Sequence, residues 1–401
     1  MKKSILILFV GSRLLSFGQN VDENAVSFNF IQLPTNTIAK EYKTFNVLVE
    51  HNYEQANSDS LTSYQAKLEA ATAQYDAELA AWKEQKKNIQ RNYLQQLATW
   101  QKSTNAGAAA VKPAAPIYPQ PPVMAEVENP NLHTDITDQE VQNAVSLAGF
   151  DRGEGGATIT VGILPLSDFK INMTTKGDAA AKKYYYSANY KLPLELKVET
   201  PSQGVILQTI VLNNISNYNM NTYASQYEFD LWWLDNKTQF WADLEKYART
   251  NALEVLNQTV NDKCGYPVKT ATIEVFTVKK HKDYQYNDLV NAYTVASQGY
   301  KSINQSRDRS NAKGKLNEAI NIWKQALTES NVNDSKSRVN DKVTALLQCN
   351  IAMAYIWLSE YDNAEQYINQ AINSGVGKFK RVAEGYKGYL NERKIRWNTN
   401  Y

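Results

Sequence analysis

The side chains able to carry chemistry are few. His51, His133 and His281 are the only histidines in 401 residues, and Cys264 and Cys349 the only cysteines. Nucleophilic hydrolysis needs a histidine held beside a serine or cysteine, and no Gly-x-Ser-x-Gly turn presents one. A zinc site needs closely spaced His or Cys ligands, which these positions do not provide. The glycine group Gly149-Phe-Asp-Arg-Gly-Glu-Gly-Gly156 has the texture of a phosphate loop. It precedes a strand instead of following one, and no Gly-Lys-Ser/Thr accompanies it, so it reads as a turn. Asp168, Glu228, Asp230 and Asp235 lie near aromatic residues, but no spacing separates them from ordinary surface acids. No catalytic residue, metal or cofactor is therefore expected. The most aromatic patch is Tyr227–Leu234, where Trp232 and Trp233 form a candidate platform for a glycan or peptide, with core packing as the competing reading. Cys264 and Cys349 read as buried free thiols, with a bridge between them as the alternative.

Elements that would hold such residues must fit 401 residues, which is enough for two or three domains. With 43 basic against 41 acidic side chains, the formal charge of +2 leaves no footprint for a nucleic-acid binder. Lys2 and Lys3, the apolar run Ile5–Val10, and Ser16 and Gly18 have the order of a secretory signal peptide over 1–18, although Arg13 shortens the apolar core. Cleavage there would make Gln19 the new terminus. No cysteine near that site could carry a lipid, and no later run is long and apolar enough to span a bilayer. An exported protein of the periplasm or cell envelope is expected, not lipid-anchored. The leader resembles those of Bacteroidota envelope proteins.

Residues 26–33 and 44–50 alternate as strands. From Leu61 to Trp100 there is no Gly or Pro, and Leu61, Leu68, Tyr75, Trp82 and Ile89 recur every seven residues. A second track holds Leu79, Tyr93 and Trp100. This predicts a long amphipathic helix over 61–101, about 60 Å in length, with a coiled-coil-like seam. The Pro-rich stretch 108–123 should be extended polyproline II, of about the same reach, and so able to run back along the helix. A helix pair followed by a loose linker is the alternative. Thr137-Asp-Gln-Glu140 is a capping box opening a short helix over 137–148. Thr158–Leu166 reads as a central buried strand, Leu192–Thr200 and Gly204–Leu212 as a hairpin, 237–263 as an amphipathic helix, and Thr270–Val278 as a last strand. The fold class is α+β: a mixed α/β body (19–54 and 149–280), a helical insertion (55–148) and an all-α tail (284–397).

Within that tail, Asn350–Ile372 sets Ala352 and Tyr355 in one helix against Ala364, Ile368 and Ala371 in the next. Leu316–Leu327 repeats the second-helix pattern with Ala319, Trp323 and Ala326, and Tyr389 follows Tyr355 by thirty-four residues. This resembles the tetratricopeptide repeat (TPR) family, with Ala352 where the family has Gly and Val376 where it has Pro. The resemblance implies stacked helical hairpins with a surface that captures peptides or helices. The function expected is a non-catalytic scaffold or adaptor binding protein partners in the envelope, with self-association included. The seam Leu68, Tyr75, Trp82 and Ile89 is the candidate contact. A glycan- or ligand-binding envelope protein using Trp232 and Trp233 is the alternative.

Overall fold

The computed structural model describes residues 19–106, 109, 111–130, 132–133, 136–178, 181–279, 281, 283–303 and 310–401. The leader expected over 1–18 lies outside them, as does most of the loop after Ile303. The first elements are β1 (Val21–Ile31), β2 (Thr44–His51), α1 (Glu54–Asn105), α2 (Asp138–Ala144), β3 (Asp151–Arg152), β4 (Ala157–Ile163) and β5 (Ser167–Lys176). Then come β6 (Lys183–Lys191), β7 (Leu194–Thr200), β8 (Gly204–Val211), β9 (Ser216–Tyr223), α3 (Gln226–Cys264) and β10 (Val268–Val278). The tail is α4 (Asn287–Lys301), α5 (Ser310–Leu327), α6 (Asp341–Leu358), α7 (Tyr361–Asn373) and α8 (Gly377–Asn400). The chain is thus an α+β body followed by a helical tail.

The body is built on a five-stranded sheet in the order β3-β2-β4-β7-β8, parallel across its first three strands and antiparallel beyond. β4 takes the centre because its run is nearly all apolar, and Ile159, Val161 and Ile163 are buried between its neighbours. β7 turns into β8 with Thr200 opposite Gly204, whose φ of +68° suits glycine at the turn. Leu244, Ala248, Ala252, Leu256 and Val260, each four residues on from the last, form the buried ridge of α3 in this core. The first half of α3 lies on the second sheet, β5-β6-β9.

α3 starts eleven residues before the predicted 237, at Gln226. Ser225 caps it by accepting the Glu228 amide at 3.1 Å, and the Glu228 carboxylate accepts the Ala224 amide at 2.7 Å. Aromatic residues favour strands, but Phe229, Trp232 and Trp233 stand at helical spacing and that spacing decides. The capping box at Thr137 and Glu140 is formed, yet α2 ends at Ala144 instead of 148. Val145 and Leu147 continue as extended chain into the body core.

β1 and β10 pair over eleven residues, from Val21 opposite Val278 to Ile31 opposite Val268. Sequence places both strands in the body, whereas their apolar face belongs to the core of the tail. A two-stranded ribbon cannot cover its own apolar face, and helices do it here. Phe28 and Phe30 meet Trp357 of α6 edge-on, at ring distances of 4.6 and 4.9 Å. α4 with α5, and α6 with α7, form antiparallel hairpins, and α8 closes the set. Gly299 allows the first hairpin to close, since a β-carbon there would stand 3.0 Å from Leu316. Arg396 of α8 joins the two cores: its guanidinium donates to the Asp262 carboxylate at 3.1 and 3.2 Å and to the Leu33 carbonyl at 2.8 Å. Cys264 sits in the body core and Cys349 in the tail core, both as free thiols that burial pushes up to about 12. No helix of the described residues is long and apolar enough to cross a membrane.

Candidate functional site

α1 is one helix of 52 residues, about 78 Å long, and none of its residues is buried. Among the described residues no other helix or strand packs along it. Its cover is the Pro-rich return, which runs antiparallel to it. Lys112 stands 6.0 Å from the Trp100 ring, the Trp82 indole donates to the Pro119 carbonyl at 2.8 Å, and Asn57 pairs with the backbone of His133 in both directions at 3.2 and 2.9 Å. Lys86 lies between the rings of Trp82 and Tyr118, at 5.0 and 5.5 Å. The insertion is therefore a helix–polyproline hairpin and not a helix pair.

The return is registered by proline. Pro113, Pro116, Pro119 and Pro122 are half-buried while every residue between them is exposed, a period of three that is the turn of polyproline II. This signal is present in the sequence and the heptad reading of the helix alone misses it. Under the return, Tyr75, Leu79, Trp82, Ile89, Tyr93 and Trp100 are half-buried. Leu61 and Leu68 remain exposed, so the seam is covered only in part. Past Pro122 the chain is drawn toward α3, where Lys237 pairs with Glu128. Opposite the prolines, Val111, Ile117 and Val123 project at 93%, 91% and 87% exposure. Six residues apart, they share one edge of the three-fold helix, at intervals of about 19 Å.

The arm is held at its base by a polar cluster that no local motif announces. The Ile136 amide donates to the Tyr53 hydroxyl (3.4 Å), which faces His51 Nδ1 at 3.2 Å, and His51 Nε2 bonds Asp138 at 2.8 Å. This order is satisfied by the neutral Nε2–H imidazole. Arg249 lies 4.8 Å over the Tyr53 ring and donates to Glu245 at 2.7 Å. His133 Nδ1 approaches the same Glu245 oxygen at 3.4 Å, a contact that becomes an ion pair only on protonation. His133 is thus largely buried. An Asp–His–hydroxyl chain has the outline of a nucleophile relay, but Tyr53 is buried beneath Arg249, which suits it to positioning the first turn of α1.

The residues singled out for hairpin packing, Ala319, Trp323, Ala326, Ala352, Tyr355, Ala364, Ile368 and Ala371, are all buried. Lys324 reaches over from the first hairpin to donate to the Tyr355 hydroxyl at 2.7 Å. Trp232 and Trp233 are half-buried on α3. Their rings engage Tyr223, Phe229 and Phe240 at 5.3–6.1 Å. Among the described residues no group of three His, Cys, Asp or Glu side chains could hold a metal ion. Comparison with family models, curated proteins and solved structures finds no match.

Proposed function

We propose that this chain is a non-catalytic, exported interaction scaffold that docks a protein partner along the outer edge of its helix–polyproline arm, with the α+β body as the arm's mount and the TPR-like tail as a second contact surface. The observation that supports the reading is the arm's build: a 52-residue helix with no buried side chain, half-covered by a return that aims Val111, Ile117 and Val123 into solvent. Such an edge costs free energy in water and gains it under a partner, about 1.5–3 kcal/mol for each large apolar side chain covered. Burial of Gln19, which donates to the Ser337 carbonyl at 2.8 Å and accepts from Asn340, supports a mature chain built from there on.

Val111→Asp, Ile117→Asp and Val123→Asp combined should leave helicity and melting unchanged, because all three side chains are exposed. Partner capture from native envelope extract should fall by about 100-fold or more, as three covered apolar contacts imply. Undiminished capture by the triple variant would move the contact off the arm. Export has its own test. Sequencing of the native protein should begin at or near Gln19, and an intact Met1 in the cytoplasmic fraction would overturn that part of the reading.

A further inference from the structure

A sheet edge presents unpaired backbone to solvent, and folded chains blunt such edges with bulges, lysines, prolines or very short strands. Among the described residues every edge strand but one carries such a device. β3 is two residues long, and beside it the Gln142 amide donates to the Val47 carbonyl of β2. β5 is irregular between Ser167 and Lys170 and exposes Lys170 and Lys176. β8 shifts register opposite Val198–Glu199, and β9 opposite Tyr185–Ser187. On β10 the Asn350 side chain occupies the Phe276 main chain.

β1 has none of these. It pairs with β10 over Val21–Ile31 without a register shift and contains no Lys, Arg or Pro. Its two acids stand at one end, each held by a lysine: Asp22 by Lys279 at 3.2 Å, and Glu23 by Lys378. The ladder fixes which main-chain groups are free. The Lys279 amide donates to the Asn20 carbonyl and the Gln32 amide to the Pro267 carbonyl, so even-numbered residues of β1 bond β10 and odd-numbered ones face away. The N–H and C=O of Ala25, Ser27 and Asn29 have no partner among the described residues, and all three residues are exposed. Unpaired backbone groups persist where water reaches them, and there a second strand can take the place of water.

Only an extended backbone matches donors and acceptors repeated every second residue. We propose that this edge pairs with the same edge of a second copy of the chain, antiparallel about a two-fold axis at Ser27. That register sets Ser27 opposite Ser27, Ala25 opposite Asn29, Glu23 opposite Ile31 and Asp22 opposite Gln32. The acidic end of each strand thus meets the uncharged end of the other, and no like charges are opposed. The facing pairs at Ala25, Ser27 and Asn29 exchange two main-chain bonds each, and the two ribbons become one four-stranded sheet, β10-β1-β1-β10. Its outer strands are then the ones already capped by Asn350, which closes the assembly at two copies. This contact is separate from the arm and stands or falls independently of partner docking.

The test uses the full chain. Sedimentation from micromolar to near-millimolar concentration should show a monomer passing into a dimer. Hydrogen exchange reads the register on the unmodified protein. The Val26 and Phe28 amides should be protected at every concentration, while those of Ala25, Ser27 and Asn29 should exchange freely in dilute protein and gain protection as the dimer forms. Ser27→Pro removes an outward N–H from each copy and leaves the β10 ladder intact. Because Ser27 sits on the axis, both bonds of its pair are lost, and the dissociation constant should rise about tenfold or more. Should Ser27→Pro fail to fold, Ser27→Lys and Ser27→Glu answer the same question at this exposed position. Each alone should weaken association, and their equimolar mixture should restore it. A monomer at all concentrations, or protection at Ala25, Ser27 and Asn29 that does not change with concentration, would overturn the proposal. A dimer that survives Ser27→Pro, or one lost when Val111, Ile117 and Val123 are all replaced by aspartate, would also overturn it.

Discussion

Replacing Asn350 by leucine should destabilise the tail by about 2–5 kcal/mol, since two buried backbone groups lose their partner at once. Asn350 lies inside α6, yet its amide acts as a strand: Oδ1 accepts the Phe276 amide at 2.9 Å and Nδ2 donates to the Phe276 carbonyl at 2.8 Å. Phe276 stands opposite Glu23 in the ribbon and its main chain faces away from β1, toward the helices. Leucine matches the volume of asparagine closely enough to fit, but it cannot satisfy either group. Two readouts follow. The urea midpoint of the tail should drop, and the Phe276 amide, protected in the native chain, should exchange with solvent hydrogen at a rate approaching that of local opening. Unchanged midpoint and unchanged protection together would show that β10 is held to the helices by packing alone.

What could be read along the chain, and what could not, divides by the range of the interaction. β4, the β7–β8 hairpin, the Thr137 capping box and the buried faces at Ala352 and Ala364 are set by residues within a few positions of one another, and periodicity shows them. α1 was legible because a Gly- and Pro-free heptad track admits little else. The partner of each strand was not. Val21 and Val278 pair across nearly the whole body, and nothing in an alternating apolar pattern tells which core will cover it. The clamp at the arm base is of the same kind. Tyr53, His133 and Glu245 come from three distant segments, and each alone looks like an ordinary polar or aromatic residue. The three-residue spacing of Pro113 to Pro122 is different. It is local and visible, and it fixes which edge of the return is free once the helix is known to lie beside it.

Removing the arm should abolish partner capture without unfolding the protein. The cut is dictated by the reciprocal bonds between the Asn57 side-chain amide and the His133 backbone, which hold the two ends one side chain apart, so 58–132 can be replaced by a short Gly/Ser linker with Tyr53, His133 and the Glu245–Arg249 pair left in place. The segment removed contains no buried residue of α1, and among the described residues the one ion pair lost to the body is the exposed Lys237–Glu128, worth about 0–1 kcal/mol. Melting should therefore shift by no more than that amount implies, while the hydrodynamic radius falls, because a rod of about 72 Å is gone. Capture of the partner should be lost outright, where the triple aspartate variant loses it by degrees. An unfolded product would mean that the arm is part of the fold despite its exposure, and that half-buried Tyr75, Trp82 and Ile89 stabilise more than their own hairpin. A folded product that still captures the same partner would place the contact on α4–α8, where the TPR resemblance puts it. A folded product that changes only from dimer to monomer on sizing would identify the occupant of the Val111–Val123 edge as a second copy of the same chain.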